Sequence, residues 1–340
     1  MTGPHRAIAA IRVAVRRALA QTEQVQQGGL VLVACSGGAD SLSLAAAVAF
    51  EAPRRGLSAG AVIVDHDLQE GSLAVAERAA GQCRGLGLDP VEVMTVEVGS
   101  SGSGSRPGSG SGPEARARDA RYRAFEDALE RFAAVAVLLG HTRDDQAEQV
   151  LLGLARGSGA RSLSGMPAHR GPYVRPLLGV ARTTTLAACE AAGLTAWVDP
   201  HNSDPAYGRV RARALLPVLE TELGPGTVAA LARSADLLRE DADTLEDLAA
   251  GALSELSELG SLWVEAGALL RLPRAIRTRV WRLLALEAGC SPGALTSTHI
   301  ESLDTLVTCW RGQGPIDLPG HVQGSRTDGR VLVAGIRQVE

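Results

Sequence analysis

The sequence contains no lysine. All 34 of its basic residues are arginine, and that excludes one whole class of nucleotide site. A Walker loop needs a lysine after its second glycine to reach the terminal phosphates. Paired cysteines are missing too. Cys35, Cys83, Cys189, Cys290 and Cys309 stand apart with no Cys-x-x-Cys spacing, which argues against a zinc site or a disulfide framework and suits a reducing cytoplasm. No apolar run approaches the ~20 residues of a membrane span, so no membrane partner is expected. Residues 1–20 place Ile8, Ile11, Val15 and Leu19 at helical spacing among arginines but lack the apolar centre of a signal peptide. Strong charge of one sign is absent as well. The net charge is −4, so any contact with nucleic acid must come from local arginine patches rather than a global field.

What is present is a rhythm. Apolar runs at 30–34, 61–65, 91–96 and 134–139 read as buried parallel strands. Between them, 42–50, 72–86 and 114–132 read as helices. With 340 residues, 45% of them hydrophobic, the alternation predicts an α/β fold: a doubly wound, mostly parallel sheet in residues 1–218. A helical linker is expected over 219–256 and a smaller, largely helical domain over 257–340. Residues 99–112 are Gly/Ser-rich and read as a flexible insertion.

In such sheets ligands bind beyond the C-terminal ends of the strands, and three polar motifs fall there. The first is Ser36-Gly37-Gly38-Ala39-Asp40-Ser41. A strand, a glycine turn and a helix start aim unpaired N–H groups and the positive end of a helix dipole at one point, which is an anion site. The spacing is not Gly-x-Gly-x-x-Gly, so the loop is no dinucleotide fingerprint. Asp40 would repel a phosphate unless a cation stood between them, and magnesium held by Asp40 and phosphate oxygens resolves the conflict. The second motif is Asp65-His66-Asp67. The third is Gly140-His141-Thr142-Arg143-Asp144-Asp145-Gln146-Ala147-Glu148, where a helix from Asp144 onward puts His141, Asp145 and Glu148 on one face. Part of this acidity is ordinary helix capping. Three carboxylates beside a histidine nevertheless repel one another strongly and suit a metal ion or a cationic amine. Arginine forms a further set: Arg118 and Arg121 three apart on a helix, and Arg209-Val210-Arg211-Ala212-Arg213. Such side chains fork onto phosphates.

Taken in order, these motifs, together with Arg156-Gly-Ser-Gly159, Arg175-Pro-Leu-Leu178, Asp199-Pro-His-Asn202, Trp310-Arg-Gly-Gln-Gly314 and Leu318-Pro-Gly320, give a chain that resembles the bacterial tRNA(Ile)-lysidine synthase family. The loop resembles the pyrophosphate loop of ATP pyrophosphatases and marks only that superfamily. The His-x-x-Asp-Asp-Gln-x-Glu string with the Asp-Pro-x-Asn and arginine segments is far more specific. The resemblance implies an adenine nucleotide alpha hydrolase-like fold with a tRNA-binding C-terminal domain, and an ATP-dependent ligation. The wobble cytidine of isoleucine tRNA with a CAU anticodon is adenylated at C2, and free L-lysine then displaces AMP to give lysidine. It further implies that Ser36, Gly37, Gly38, Ala39, Asp40 and Ser41 bind ATP, with Asp40 on Mg2+ and with Asp65 and His66 near the adenosine. Asp145 and Glu148 would receive lysine. His141, Arg118 and Arg209 would surround the reacting centre, and Arg121, Arg211 and Arg213 would contact tRNA. The family's Asp-His-Gly-Leu-Arg stands here as Asp65-His66-Asp67-Leu68-Gln69, and its Arg-Asn-Arg-Ile-Arg as Arg209-Val210-Arg211-Ala212-Arg213. Neither departure removes a proposed catalytic group. A tRNA thiolation enzyme and a tRNA- or nucleotide-binding module without catalysis are the alternatives. An oligomer such as a homodimer is compatible with the sequence but not fixed by it.

Overall fold

A computed structural model describes residues 3–22, 28–65, 71–96, 113–199, 204, 206–256 and 263–336, without the side chains of 113–115. The expected insertion at 99–112, residues 66–70 with His66, and residues 200–202 lie outside the described residues.

The central sheet contains β1 (Leu30–Ala34), β2 (Ser58–Asp65), β3 (Val91–Thr95), β4 (Ala134–Leu139), β5 (His169–Arg170) and β6 (Tyr173–Val174), in the order β3-β2-β1-β4-β6-β5. Every pairing is parallel except that of β5 with β6. The chain leaves β1 for β2 on one side, while β4 lies on the other, with Ala34 opposite Val62 and Leu139. The C-terminal ends of β1 and β4 therefore flank the point where strand order reverses, which is where doubly wound sheets bind ligands.

The helices of this region are α1 (Arg6–Gln21), α2 (Ala39–Glu51), α3 (Ser72–Gly85), α4 (Pro113–Arg131), α5 (Arg143–Ala155), α6 (Ala160–Leu163), α7 (Arg182–Ala191), α8 (Gly208–Glu222) and α9 (Thr227–Leu256). β1 shows why both faces of the sheet are covered. Successive side chains point to opposite faces, so Val31 and Val33 join one core with Ile11, Val15 and Leu44, while Leu32 joins another with Phe125, Ala128 and Val137. A fully buried aliphatic side chain contributes roughly 1.5–3 kcal/mol, which makes an uninterrupted apolar run the natural sequence of such a strand. Helices α1, α2 and α7 pack on one another and carry the loop between β1 and α2.

The chain divides into two compact units, 1–99 with 117–239 and 100–116 with 240–340. The division falls inside α9, and α8 runs across residue 218, where the sequence reading places the end of the first domain and the start of a linker. The second unit holds α10 (Ala266–Arg271), α11 (Arg274–Glu287) and α12 (Ser297–Thr308) beside an antiparallel sheet of β7 (Trp263–Glu265), β8 (Ile316–Leu318), β9 (Val322–Thr327) and β10 (Arg330–Gly335), ordered β7-β10-β9-β8. Its helices agree with the expected helical character, and the sheet adds to it. At its centre Arg277 and the Trp281 indole donate to buried Asp304 at 2.7 and 3.0 Å.

Candidate functional site

At the end of β1 the Cys35 N–H donates to the Val62 carbonyl at 2.9 Å, and the chain then turns through Gly37 with φ +79°. That left-handed conformation favours glycine, and a Cβ there would lie 3.3 Å from that of Ala79. Gly38 caps α2 without a side chain, and among the described residues no side-chain cap bond is made to the first turn. Ser41 braces the turn from within. Its hydroxyl donates to the Gly38 carbonyl (2.9 Å) and accepts from the Ser36 N–H (3.1 Å). Trp197 donates its N–H to the Gly37 carbonyl at 2.9 Å. Ser36 is exposed, whereas Ser41 is buried. The two hydroxyls, both expected as ligand donors, thus differ: one is open, and one holds the loop in shape. Ala39 and Asp40 are the first two residues of α2.

Gly140, at the end of β4, lies against this turn. A Cβ at that position would stand 3.2 Å from backbone atoms of Asp40 and Ser41. Backbone cannot swing aside as a side chain can, so Gly140→Ala should push the loop outward by a few tenths of an ångström. Overpacking of this kind costs about 1–3 kcal/mol. We expect a lower thermal midpoint together with weaker binding of an ATP analogue, both measurable by thermal shift.

Thr142 caps α5 with Asp145 in a reciprocal capping box; the Thr142 N–H and hydroxyl both donate to Asp145, at 2.7 and 2.8 Å. One turn on, Glu148 is fully buried. The carboxylates do not face an empty space. The Arg182 guanidinium reaches Asp145 at 2.9 Å, Glu148 at 3.3 Å and Asp40 at 3.4 Å, and its backbone N–H donates to Asp144 at 2.8 Å. Thr185, one turn along α7, donates to Asp40. Arg213 donates to Glu148 at 2.7 Å and lies 3.9 Å from Asp145. Burial pushes the Asp40 carboxyl up despite Thr185 and Arg182. For Asp145, burial is outweighed by Arg182 and the Thr142 N–H, which hold its pKa down. The same carboxylates more than offset burial at Arg182 and raise its pKa.

His141 faces the other way in charge. Burial, with Arg175, Arg209 and Arg118 nearby, lowers its pKa to about 4 against the pull of Asp145, and its Nδ1 is buried without a hydrogen-bond partner among the described residues. Arg175 is 4% exposed, donates to the Pro167 carbonyl and the Tyr122 hydroxyl, and pairs with no carboxylate among the described residues. The site thus has an acidic side and a cationic side with a neutral imidazole between them. An unfolded histidine titrates near 6.5, so acidification from about 6.5 to about 4 protonates the unfolded chain first and removes stability. Thermal melts should show the parent chain losing stability relative to His141→Gln across that window.

Of the expected residues, the structure gathers the loop, Asp40, His141, Asp145 and Glu148 at the ends of β1 and β4. Asp65 is buried at the end of β2, the neighbouring strand. Arg118 stacks over Tyr122 at 5.0 Å, Arg209 is half-buried at the start of α8, and Arg121 and Arg211 are exposed. Arg213, expected to contact tRNA, pairs in this structure with the acidic helix, because it shares one face of α8 with Arg209 and Leu216 while Arg211 points elsewhere. The sequence reading gave no site role to Arg182, Thr185 or Arg175, the last named only within Arg175-Pro-Leu-Leu178. One signal was available for Arg182: arginine in the first turn of a helix opposes the dipole and needs an acidic partner. Among the described residues no group of three or more His, Cys, Asp or Glu is placed to hold a metal by itself. A single carboxylate beside open N–H groups suits an ion such as magnesium, which keeps waters and leans on substrate phosphates. Cys35, Cys83 and Cys189 are buried in the α/β core.

A parallel sheet with this strand order and this loop defines a PP-loop nucleotide-binding protein. The PP-loop domain family matches residues 11–219, and the TilS substrate binding domain matches 265–332. A tRNA(Ile)-lysidine synthase of Thermobifida fusca is 54% identical over 335 residues, 98% of this chain and 99% of the relative. Those of Streptomyces coelicolor (52% identical, 97% and 99% covered) and Mycobacterium bovis (48%, 90% and 88%) are similar to it as well. The chain belongs to the tRNA(Ile)-lysidine synthase family. A U34-tRNA thiolase, NcsA from Methanococcus maripaludis, superposes with a TM-score of 0.56 at 18% identity, covering 68% of this chain and 79% of that one, a likeness of fold alone.

Proposed function

We propose that this chain uses ATP to adenylate the C2 oxygen of the wobble cytidine in isoleucine tRNA with a CAU anticodon, and then joins free L-lysine at that carbon. The observation that carries the reading is the juxtaposition of loop and acidic helix, bridged by Arg182 from Asp40 to Asp145 and Glu148. In the first step the cytidine oxygen bonds to the α-phosphorus and pyrophosphate leaves. The uncapped start of α2 and the exposed Ser36 receive the departing pyrophosphate. Asp40 would hold magnesium, which neutralises phosphate charge. Arg118, Arg175 and Arg209 stabilise the charge that develops on the transferring group. In the second step the lysine side-chain amine bonds to C2, the C2–O bond breaks, and AMP departs with the electron pair. An ammonium is no nucleophile. Asp145 and Glu148 orient it, and Glu148 takes its proton as general base before the amine attacks. A neutral His141 can accept a proton there, which an imidazolium could not. Arg121 and Arg211 add exposed charge for the tRNA backbone.

Mass spectrometry of nucleosides from isoleucine tRNA incubated with the chain, ATP, magnesium and lysine tests the reading. Lysidine should appear only with all components present. ATP–pyrophosphate exchange dependent on that tRNA should accompany it, and its absence while ATP still binds would count against adenylation.

A further inference from the structure

Arg182 is left without a task in the two-step reaction. Its guanidinium touches carboxylates with different assigned roles: Asp40 at the loop (3.4 Å), and Asp145 (2.9 Å) and Glu148 (3.3 Å) at the amine end. Its backbone N–H holds a fourth, Asp144. Arg213 adds a second guanidinium to Glu148 at 2.7 Å. Without substrates, arginines therefore stand where the reaction brings cations. Carboxylates already paired in this way give an incoming ammonium little net gain, because it must break ion pairs whose desolvation is already offset.

We propose that Arg182 is a positioning residue that keeps the amine subsite closed to free lysine until a polyphosphate at the loop draws its guanidinium away. The proposal rests on the reaction assigned above. Geometry gives the direction of movement. The guanidinium lies between Asp40 and the acidic helix, with its Nε toward the loop aspartate. A triphosphate on the loop carries more negative charge than one carboxylate and takes guanidinium in a two-pronged grip. Movement toward it releases Asp145 from its nearest cation and leaves Glu148 with Arg213 alone. Arg182 is anchored for this by its own N–H on Asp144, so the side chain can turn while the helix start stays fixed. Ordered addition follows, with lysine after the nucleotide, and the coupling is reciprocal: lysine tightens nucleotide binding by the factor by which nucleotide tightens lysine.

The test is calorimetric titration of L-lysine into the full chain, alone and with magnesium and a non-hydrolysable ATP analogue. Lysine affinity should rise about tenfold or more with the analogue. Arg182→Gln should bind lysine without nucleotide as tightly as the parent chain binds it with nucleotide, and should lose most of the difference between the two conditions. Arg182→Lys should fall between, since one ammonium cannot span Asp40 and Glu148 as a guanidinium does. Equal lysine affinity with and without the analogue in the parent chain overturns the proposal, as does weaker lysine binding in a folded Arg182→Gln chain. If the variants fail to fold, the two titrations of the parent chain decide. Lysine binding in neither condition while lysidine still forms overturns it too, because nucleotide then fails to open the subsite. Lysine binding in neither condition with no lysidine formed overturns the assigned reaction instead.

Discussion

Asp40→Asn should lower ATP–pyrophosphate exchange by about a thousandfold, the scale on which charge stabilisation at a transferring group is lost, while the chain remains folded. Asn and Asp have the same shape, so Asn can still accept from Thr185 or Arg182. What disappears is the negative charge, and with it the anchor for a divalent cation at a loop that offers no other carboxylate of its own. The fold should tolerate the change. Burial already raises the pKa of this carboxyl, so a neutral side chain removes a desolvation penalty rather than adding one. Arg182 keeps Asp145 and Glu148. The expected pattern is therefore a near-parental melting curve beside a collapsed exchange rate. Exchange within about tenfold of the parent chain would show that phosphate charge is neutralised elsewhere, and the role given to Asp40 would have to move.

The parts of the molecule legible in the sequence were those whose physics is local. β1 and β4 have the bounds of their apolar runs, because a strand buried on both faces can hold nothing else. β2 begins three residues before its run, at Ser58-Ala59-Gly60. Small residues carry no hydrophobic signal, yet they pair with Leu30, Val31 and Leu32 of β1. At Gly60 only a hydrogen fits, since a Cβ would meet the Pro90 carbonyl and Leu32. β5 and β6, two residues each, are too short for any period to show. The acidic helix was legible as a cluster, but its neutralisation was not. Arg182 lies 37 residues beyond Asp145, and no spacing rule reaches that far. Arg213 was legible as a basic residue but not as a partner of Glu148. Its run reads as a surface until helical periodicity is applied, which sets Arg209 and Arg213 on a face apart from Arg211. These long-range pairs turn an acidic patch into a closed, balanced site.

That balance decides what Glu148→Gln should do. Lysine transfer from a preformed adenylated tRNA should slow by about a hundredfold to a thousandfold, within the range typical of lost general-base assistance. Exchange should change by less than about threefold, the mark of an interaction used only in the second step. Glu148 lies three residues after Asp145 on α5, so the two carboxylates share a face and can hold one ammonium together. Glutamine keeps the length and one acceptor oxygen but neither attracts the ammonium nor takes its proton. The arginines are not stranded by the change. Arg182 retains Asp145 and Asp40, and Arg213 still lies 3.9 Å from Asp145, so only a modest fall in melting temperature should accompany the kinetic loss. Single-turnover transfer measured beside exchange separates the outcomes. Equal losses in both half-reactions would place Glu148 with the nucleotide rather than the amine. A loss confined to transfer, with raised lysine KM, would place the ammonium at the buried end of α5, where Arg182 and Arg213 stand in the substrate-free chain.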